Sequence, residues 1–278
     1  MANFGLVTYK GILKAKTPVF HGGNEKTGSV VLLNRIKFLT ENGIEEIPII
    51  SGNAIRGVLR RLIMKDLLDQ IGYKINLSKK EGQKLYHSLF AGGVLETVEE
   101  GSGTIDIELK REIIELLPPV RLFGLAIKNQ MIEGKLKVGH ALPICVELRD
   151  FIPEDINPKV SIYDMLTTIF QTRKDDLRAE KEDNGQAVQM LIEYEVFAPG
   201  TQFYHEIKVE DPDEIDLSCL ARCIELWKQK PFIGGKSSIG FGELEINYNL
   251  EHDSIKYLEF VKKNAKEICK LLDKLGGK

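Results

Sequence analysis

The stretch that most constrains this chain is Pro231-Phe232-Ile233-Gly234-Gly235-Lys236-Ser237-Ser238-Ile239-Gly240-Phe241-Gly242-Glu243. Four glycines, two serines and one lysine fall within nine residues. Glycine reaches positive φ at little steric cost, so this backbone can turn tightly and approach a ligand closely. Successive N–H groups in such turns form anion-binding concavities, and Lys236 adds a mobile positive charge. Ser237 and Ser238 add hydroxyl donors. The flanks restrict the topology. A helical pattern from Asp216 to Gln229 precedes the loop, and Glu243 to Tyr248 alternates like a strand after it. A Walker-type loop joins strand to helix and needs a glycine at position 230, where Lys230 stands. Nucleotide triphosphatase chemistry is therefore excluded. The remaining readings are a plain glycine turn and a phosphate cradle.

A second marker lies far upstream in Ile50-Ser51-Gly52-Asn53-Ala54-Ile55-Arg56-Gly57-Val58-Leu59-Arg60-Arg61. Ser51 or Asn53 can cap a helix running to about Ile71, because a short oxygen side chain accepts from a first-turn N–H. Ile55, Val58, Leu59, Leu62, Ile63 and Leu67 form its apolar stripe. Arg56 and Arg60, four residues apart, share a face that the pattern assigns to solvent, with Arg61 and Lys65 beside it. No acid occurs between Glu46 and Asp66, so the helix start reads as a basic island.

The rest of the chain supplies strands and an insertion. Residues 4–20 alternate as a strand, followed by a glycine-bearing loop from His21 to Ser29 that contains Lys26. Asn42-Gly43 marks a hairpin. Helical patterns at Leu77–Leu89 and Asp106–Leu117 end at Pro118-Pro119. Residues 162–170 fit either a strand or a short helix. The charge-dense segment from Gln171 to Gln186 reads as a mobile excursion. Val188–Phe197 and Gln202–Val209 read as a hairpin around Ala198-Pro199-Gly200-Thr201, and Ser254–Leu275 as one amphipathic helix.

Composition bounds the function. With 38 Lys and Arg against 41 Asp and Glu, the net charge is -3, so nucleic-acid binding has to rest on a local patch. Cys219 and Cys223 lie one helical turn apart without a second Cys/His pair, which points to core thiols and no metal. No cofactor is expected. No apolar run reaches the roughly 18 residues of a membrane span, and the N-terminus lacks a signal-peptide pattern, so no membrane partner and a cytoplasmic location are expected.

The two markers, with Leu122-Phe123-Gly124 between them, resemble the RAMP superfamily of CRISPR-associated proteins over most of residues 5–250. The resemblance implies an α+β chain with a modified ferredoxin-like, RRM-type βαββαβ fold, insertions and a β-hairpin thumb. Residues 1–71 and 122–250 would form the core, 72–121 a helical insertion, 172–209 the mobile loop and thumb, and 251–278 the C-terminal helix. It is closest to the Cas seven-like backbone subunits of class 1 effector complexes, type IV-like or type III-like. Those polymerise along a guide RNA, and their thumbs displace guide nucleotides at regular intervals. The implied partners are CRISPR RNA, target nucleic acid paired to it, copies of the same chain and other Cas subunits. The implied RNA contacts are His21, Lys26, Asn53, Arg56, Arg60, Arg61, Gly234, Gly235, Lys236, Ser237, Ser238 and Gly240.

Many type III subunits of this kind cut target RNA with an Asp in the loop after the first strand. Here the matching loop, His21 to Ser29, has Glu25 as its only acid. The expectation is a non-cleaving subunit without catalytic residues. The alternative is an RNA-processing endoribonuclease of the same superfamily, with His21 as general base and Lys236 stabilising developing charge. A third reading is an RNA-free scaffold.

Overall fold

A computed structural model describes residues 5–41, 43–93, 106–127, 130–173 and 190–276. Its centre is an antiparallel sheet built on β1 (Leu6–Ala15). β1 pairs on one side with β12 (Gln202–Glu210) and on the other with β13 (Leu244–Tyr248). β8 (Leu136–Val138) and the short β9 (Leu142–Pro143) complete the sheet along β12. Strand alternation decides which side faces the core. Leu13, Phe203, Ile207, Leu244 and Ile246 turn inward and are almost wholly buried.

Two helices cover that inner face, α1 (Gly52–Ile71) and α5 (Glu214–Gln229). Their contribution to the core includes Ile55, Leu59, Ile63, Leu220, Ile224 and Trp227. The order β1, α1, β8/β9, β12, α5, β13 is βαββαβ, and the sheet order β13-β1-β12-β8 is the ferredoxin-like arrangement. The chain therefore has the α+β fold expected.

α1 has well-defined ends. Ser51 Oγ accepts from the Ala54 N–H at 3.2 Å, and Gly72 ends the helix with φ near 65°. At the start of α5, Asp213 and Asp216 form a reciprocal capping box. The buried Asp216 carboxylate also binds Arg121 and Lys135, at 2.9 and 2.7 Å. Cys219 and Cys223 are buried core thiols in the same helix.

A second sheet has the order β10-β11-β3-β2. It joins β2 (Gly22–Thr27), β3 (Val30–Leu33), β10 (Leu166–Arg173) and β11 (Met190–Phe197). The first glycine loop is thus largely a β2–β3 hairpin. Residues 162–165 are a 3-10 turn, and the strand follows from Leu166. The expected hairpin of 188–197 with 202–209 does not form. β11 pairs antiparallel with β10, from Leu166↔Phe197 to Arg173↔Met190, whereas β12 pairs with β1. The turn at Ala198-Pro199-Gly200 carries the chain between the two sheets. Gln171 to Arg173 belong to β10, while 174–189, which hold the rest of the charged excursion, lie outside the described residues. β4 (Arg35–Thr40) and β5 (Gly43–Pro48) form the expected hairpin, and β6 (Leu125–Ile127) pairs with β7 (Gln130–Ile132).

The remaining helices form a lobe. α2 (Lys80–Ala91) and α3 (Ile107–Leu116) are followed by α4 (Pro118–Phe123). The two prolines end one helix and occupy the first turn of the next, where no intrahelical N–H bond is lost. The C-terminal helix is two helices, α6 (Ile255–Lys263) and α7 (Ala265–Gly276), parted at Asn264. α7 buries Ile268, Leu271, Leu272 and Leu275 and packs on α2 and α3.

Candidate nucleic-acid interface

The glycine loop folds onto the chain that leaves β1. Gly242 N–H donates to the Pro18 carbonyl and Gly235 N–H to the Phe20 carbonyl, both at 2.8 Å. The loop is closed at its base by Ile233 N–H bonding Gly242 O at 2.9 Å. Gly234 has φ near 79°, and a methyl added there would overlap the Phe20 carbonyl. Only glycine permits both the backbone angle and the close approach. Glycine is required at Gly242 for the same two reasons, since φ is near 84° and the Ile233 carbonyl lies against it.

At the loop's outer end Ser237–Ile239 make one 3-10 turn. The N–H groups of Ile239, Gly240 and Phe241 close it onto the carbonyls of Lys236 and Ser237. Gly234, Gly235, Ser237, Ser238 and Gly240 are exposed. Lys236 is half-buried and has φ near 64°, a left-handed conformation uncommon outside glycine. Its ammonium lies 4.1 Å from the centre of the Tyr194 ring and donates to Gln171 Oε1 at 3.3 Å. The ring's negative face attracts the cation, so Lys236 ties the loop to the middle of the paired strands β10 and β11. Tyr194 is itself braced edge-on by Phe20, with centroids 5.0 Å apart.

The residue after Phe20 connects the loop to the start of α1. His21 Nε2 shares a hydrogen bond with Ser51 Oγ, the cap of the helix, at 3.1 Å. On the other side of the cap, Gly52 N–H donates to His140 Nδ1 at 3.1 Å. Burial, with His140 as the second cause, holds the His21 imidazole below its ordinary pKa and favours the neutral ring. Asn53 is exposed in the first turn and Arg61 in the third, and Lys26 is exposed on β2. The two sequence markers are thus joined through the single segment Pro18–His21.

Arg56 and Arg60 are placed otherwise than expected. Arg60 is buried and Arg56 half-buried. Both donate to the Phe123 carbonyl, and Arg60 also to Gly124 O at 3.1 Å. Arg56 reaches Leu136 O at 3.5 Å. Their guanidiniums lie 5.9 and 5.6 Å from the centre of the Phe123 ring. Phe123 is the last residue of α4, where carbonyls lack intrahelical donors and the helix dipole is negative. The arginines satisfy that end, so they do not present the solvent-facing pair that the helical pattern assigns. Burial, with Arg56 close by as the second cause, lowers the Arg60 pKa to about 10.

His140, Gln171 and Tyr194 were not anticipated as parts of this site. Nothing local marks them, since each meets its partner across at least 42 residues of chain. Behind His140, the buried His205 bonds Gly139 O through Nε2 at 3.1 Å and Tyr248 Oη through Nδ1 at 2.7 Å. Burial lowers the His205 pKa to about 4. Among the described residues there is no cluster of three metal-ligating side chains, and no helix is long and apolar enough to cross a membrane.

Comparison with known proteins agrees with this layout. A chain of a solved structure titled Type IV-B CRISPR Complex aligns with a TM-score of 0.64 and 19% identity, covering 88% of this chain and 91% of that one. At that identity the likeness is one of fold. No curated protein matches the chain. The RAMP superfamily model matches residues 12–245, which include the segment Pro18–His21, the start of α1 and the whole glycine loop. The chain belongs to the RAMP superfamily.

Proposed function

We propose that this chain is a guide-RNA-binding backbone subunit of a class 1 CRISPR effector complex, of the type IV kind, that lines up with copies of itself along the guide and does not cleave. The observation that carries the reading is the seating of the glycine loop. Its exposed serines and Lys236 stand beside His21 and the capped start of α1, joined through Pro18–His21. Backbone and side-chain donors of this kind hold phosphates without reading bases, as a subunit serving any guide sequence requires. The fold shared with a chain of a Type IV-B CRISPR complex supports the choice of class. The first loop, with Glu25 as its only acid, supports the non-cleaving assignment.

The test is purification of the full chain with guide RNA, followed by sizing of the RNA it protects. Protected lengths rising in regular increments are expected. Lys236→Ala/Ser237→Ala/Ser238→Ala should abolish protection, and a triple variant that protects RNA as the parent does would refute the reading.

Cleavage is the second reading, favoured by the neutral His21 ring, which suits a general base. It predicts metal-independent cutting of guide-precursor RNA that disappears in His21→Ala.

A further inference from the structure

The outer face of the C-terminal helices takes no part in the site described above. It also lies beyond the stretch that matches the RAMP superfamily, which ends at residue 245. α6 and α7 turn Tyr257, Val261, Ile268, Leu271, Leu272 and Leu275 into the core. They leave Lys262, Lys263, Lys266 and Lys270 exposed, four lysines in nine residues. Lys266 and Lys270 are one turn apart on α7, about 6 Å along its axis. Lys262 and Lys263 come from the last turn of α6.

Among the described residues, none of these four sits in an ion pair. Lys16, Lys37, Lys137, Lys208 and Lys256, by contrast, each face a carboxylate. The acids on α6–α7 are Glu259, Glu267 and Asp273, and Asp273 accepts from Tyr73 Oη at 2.8 Å. That bond brings the turn after α1, with exposed Lys74, against α7. The result is a local positive excess on a chain whose net charge is -3.

The same face is poor in apolar anchors. On α6 and α7 the one exposed large hydrophobic side chain is Ile255, at the first position of α6 and away from the four lysines in sequence. A protein interface needs an apolar or aromatic centre, and an interfacial membrane helix needs an apolar face. Phosphates need neither. Lysine supplies strongly hydrated point charges on flexible stems, suited to a backbone of variable path.

We propose that the outer face of α6–α7 is a second polyanion surface, which takes the sugar–phosphate backbone of a nucleic acid strand separate from the one at the glycine loop. Contact is electrostatic and sequence-independent, with Lys262, Lys263, Lys266 and Lys270 each able to neutralise one phosphate.

The experiment uses the full chain and two labelled probes of equal length, a single-stranded RNA of unrelated sequence and a duplex DNA. Anisotropy titrations run between about 50 and 200 mM salt. The Lys262→Gln/Lys263→Gln/Lys266→Gln/Lys270→Gln variant is expected to lose at least tenfold in affinity for one probe or both. Its plot of log affinity against log salt should flatten by about two to three units of slope. The probe that loses identifies the strand type. Because these side chains make no ion pair among the described residues, the thermal midpoint should not move. Parental affinity and slope for both probes would overturn the proposal, as would parental nucleic acid binding combined with lost binding to anionic phosphatidylglycerol vesicles. The glycine-loop triple variant separates this inference from the proposed function. Loss only in the loop variant sinks the second surface alone, and loss only in the lysine variant sinks the guide-binding reading alone.

Discussion

The glycine loop and the start of α1 look alike in sequence and end up chemically opposite. Each combines small, turn-forming residues with cations: Lys236 among glycines in one, Arg56 and Arg60 after Ser51-Gly52-Asn53 in the other. In the folded chain the loop presents exposed serines and a half-buried Lys236 at its surface. The helix turns both guanidiniums inward to the end of α4. The difference lies in what each cation finds nearby. Lys236 meets a π face and one side-chain amide, which hold it loosely. Arg56 and Arg60 meet carbonyls at the end of α4, and a planar fork of N–H groups satisfies several of these at once. A cation's residue type and spacing therefore do not reveal whether it binds a ligand or repairs its own fold.

The largest test of that contrast is Arg60→Ala. It leaves the carbonyls of Phe123 and Gly124 underpaired and opens space between α1 and α4. A loss of about 3 kcal/mol in unfolding free energy is expected, measured by urea denaturation. The affinity of the folded fraction for RNA should stay within about twofold. A stable Arg60→Ala protein with weakened RNA binding would reverse the assignment of roles.

His205 is a third basic side chain turned inward, and its Gly139 contact stands next to the His140 ring that caps α1. Its pKa is lowered by burial, from 6.5 to about 4. The unfolded chain therefore binds the proton more readily between those values. This group's contribution is complete above pH 6.5 and is lost as the pH falls towards 4. The full swing is about 3 kcal/mol, only part of which is lost by pH 5. His205→Gln should be less stable than the parent at pH 7 and should lose less stability between pH 7 and pH 5. Equal losses in the two proteins would remove His205 from the support of the helix start.

What was legible in the sequence follows the range of the forces involved. The start of α1 was, because Ser51 acts on its own first-turn neighbours. The β4–β5 hairpin was, because Asn-Gly at positions 42–43 of the sequence is a hairpin signal. The ferredoxin-like order followed from the resemblance carried by the two markers. The pairing of β11 was not. Ala198-Pro199-Gly200 looks like a hairpin turn, yet Tyr194 and Val196 belong to one sheet and Phe203 and Ile207 to the other. The split of the C-terminal helix at Asn264 was also missed, since an unbroken apolar stripe runs past it. Of the site, the loop was legible and its clamps were not. Tyr194 and Gln171 reach Lys236, and Phe20 reaches Gly235 and Tyr194, only through the tertiary fold.

A smaller effect is expected at Gly234. Gly234→Ala places a methyl against the Phe20 carbonyl at positive φ, so the loop must leave its seat. A destabilisation of about 2 kcal/mol is expected. Gly240→Ala has the same φ problem without a clash, because nothing lies within 4 Å of its added methyl, and should cost about 1 kcal/mol. If seating is what makes the loop a phosphate site, Gly234→Ala loses RNA affinity and Gly240→Ala keeps most of it. Equal losses would mean that the contact with Phe20 is incidental.

The finest test separates the charge of Lys236 from its backbone. Lys236 pays for a left-handed φ that glycine adopts freely. Lys236→Gly removes the ammonium and relieves that strain, while Lys236→Ala removes the ammonium and keeps it. Both should lower RNA affinity by roughly tenfold, because each deletes the same cation, and both should flatten the salt dependence by nearly one phosphate contact. In stability they should part. Lys236→Gly is expected to match or slightly exceed Lys236→Ala, by up to about 1 kcal/mol, once the lost contacts with Tyr194 and Gln171 cancel between them. Unequal affinities in the two variants would show that the turn's shape, more than its charge, holds the polyanion. Equal affinities at the parental level would leave Lys236 as a clamp on Tyr194, a structural cation of the same kind as Arg60.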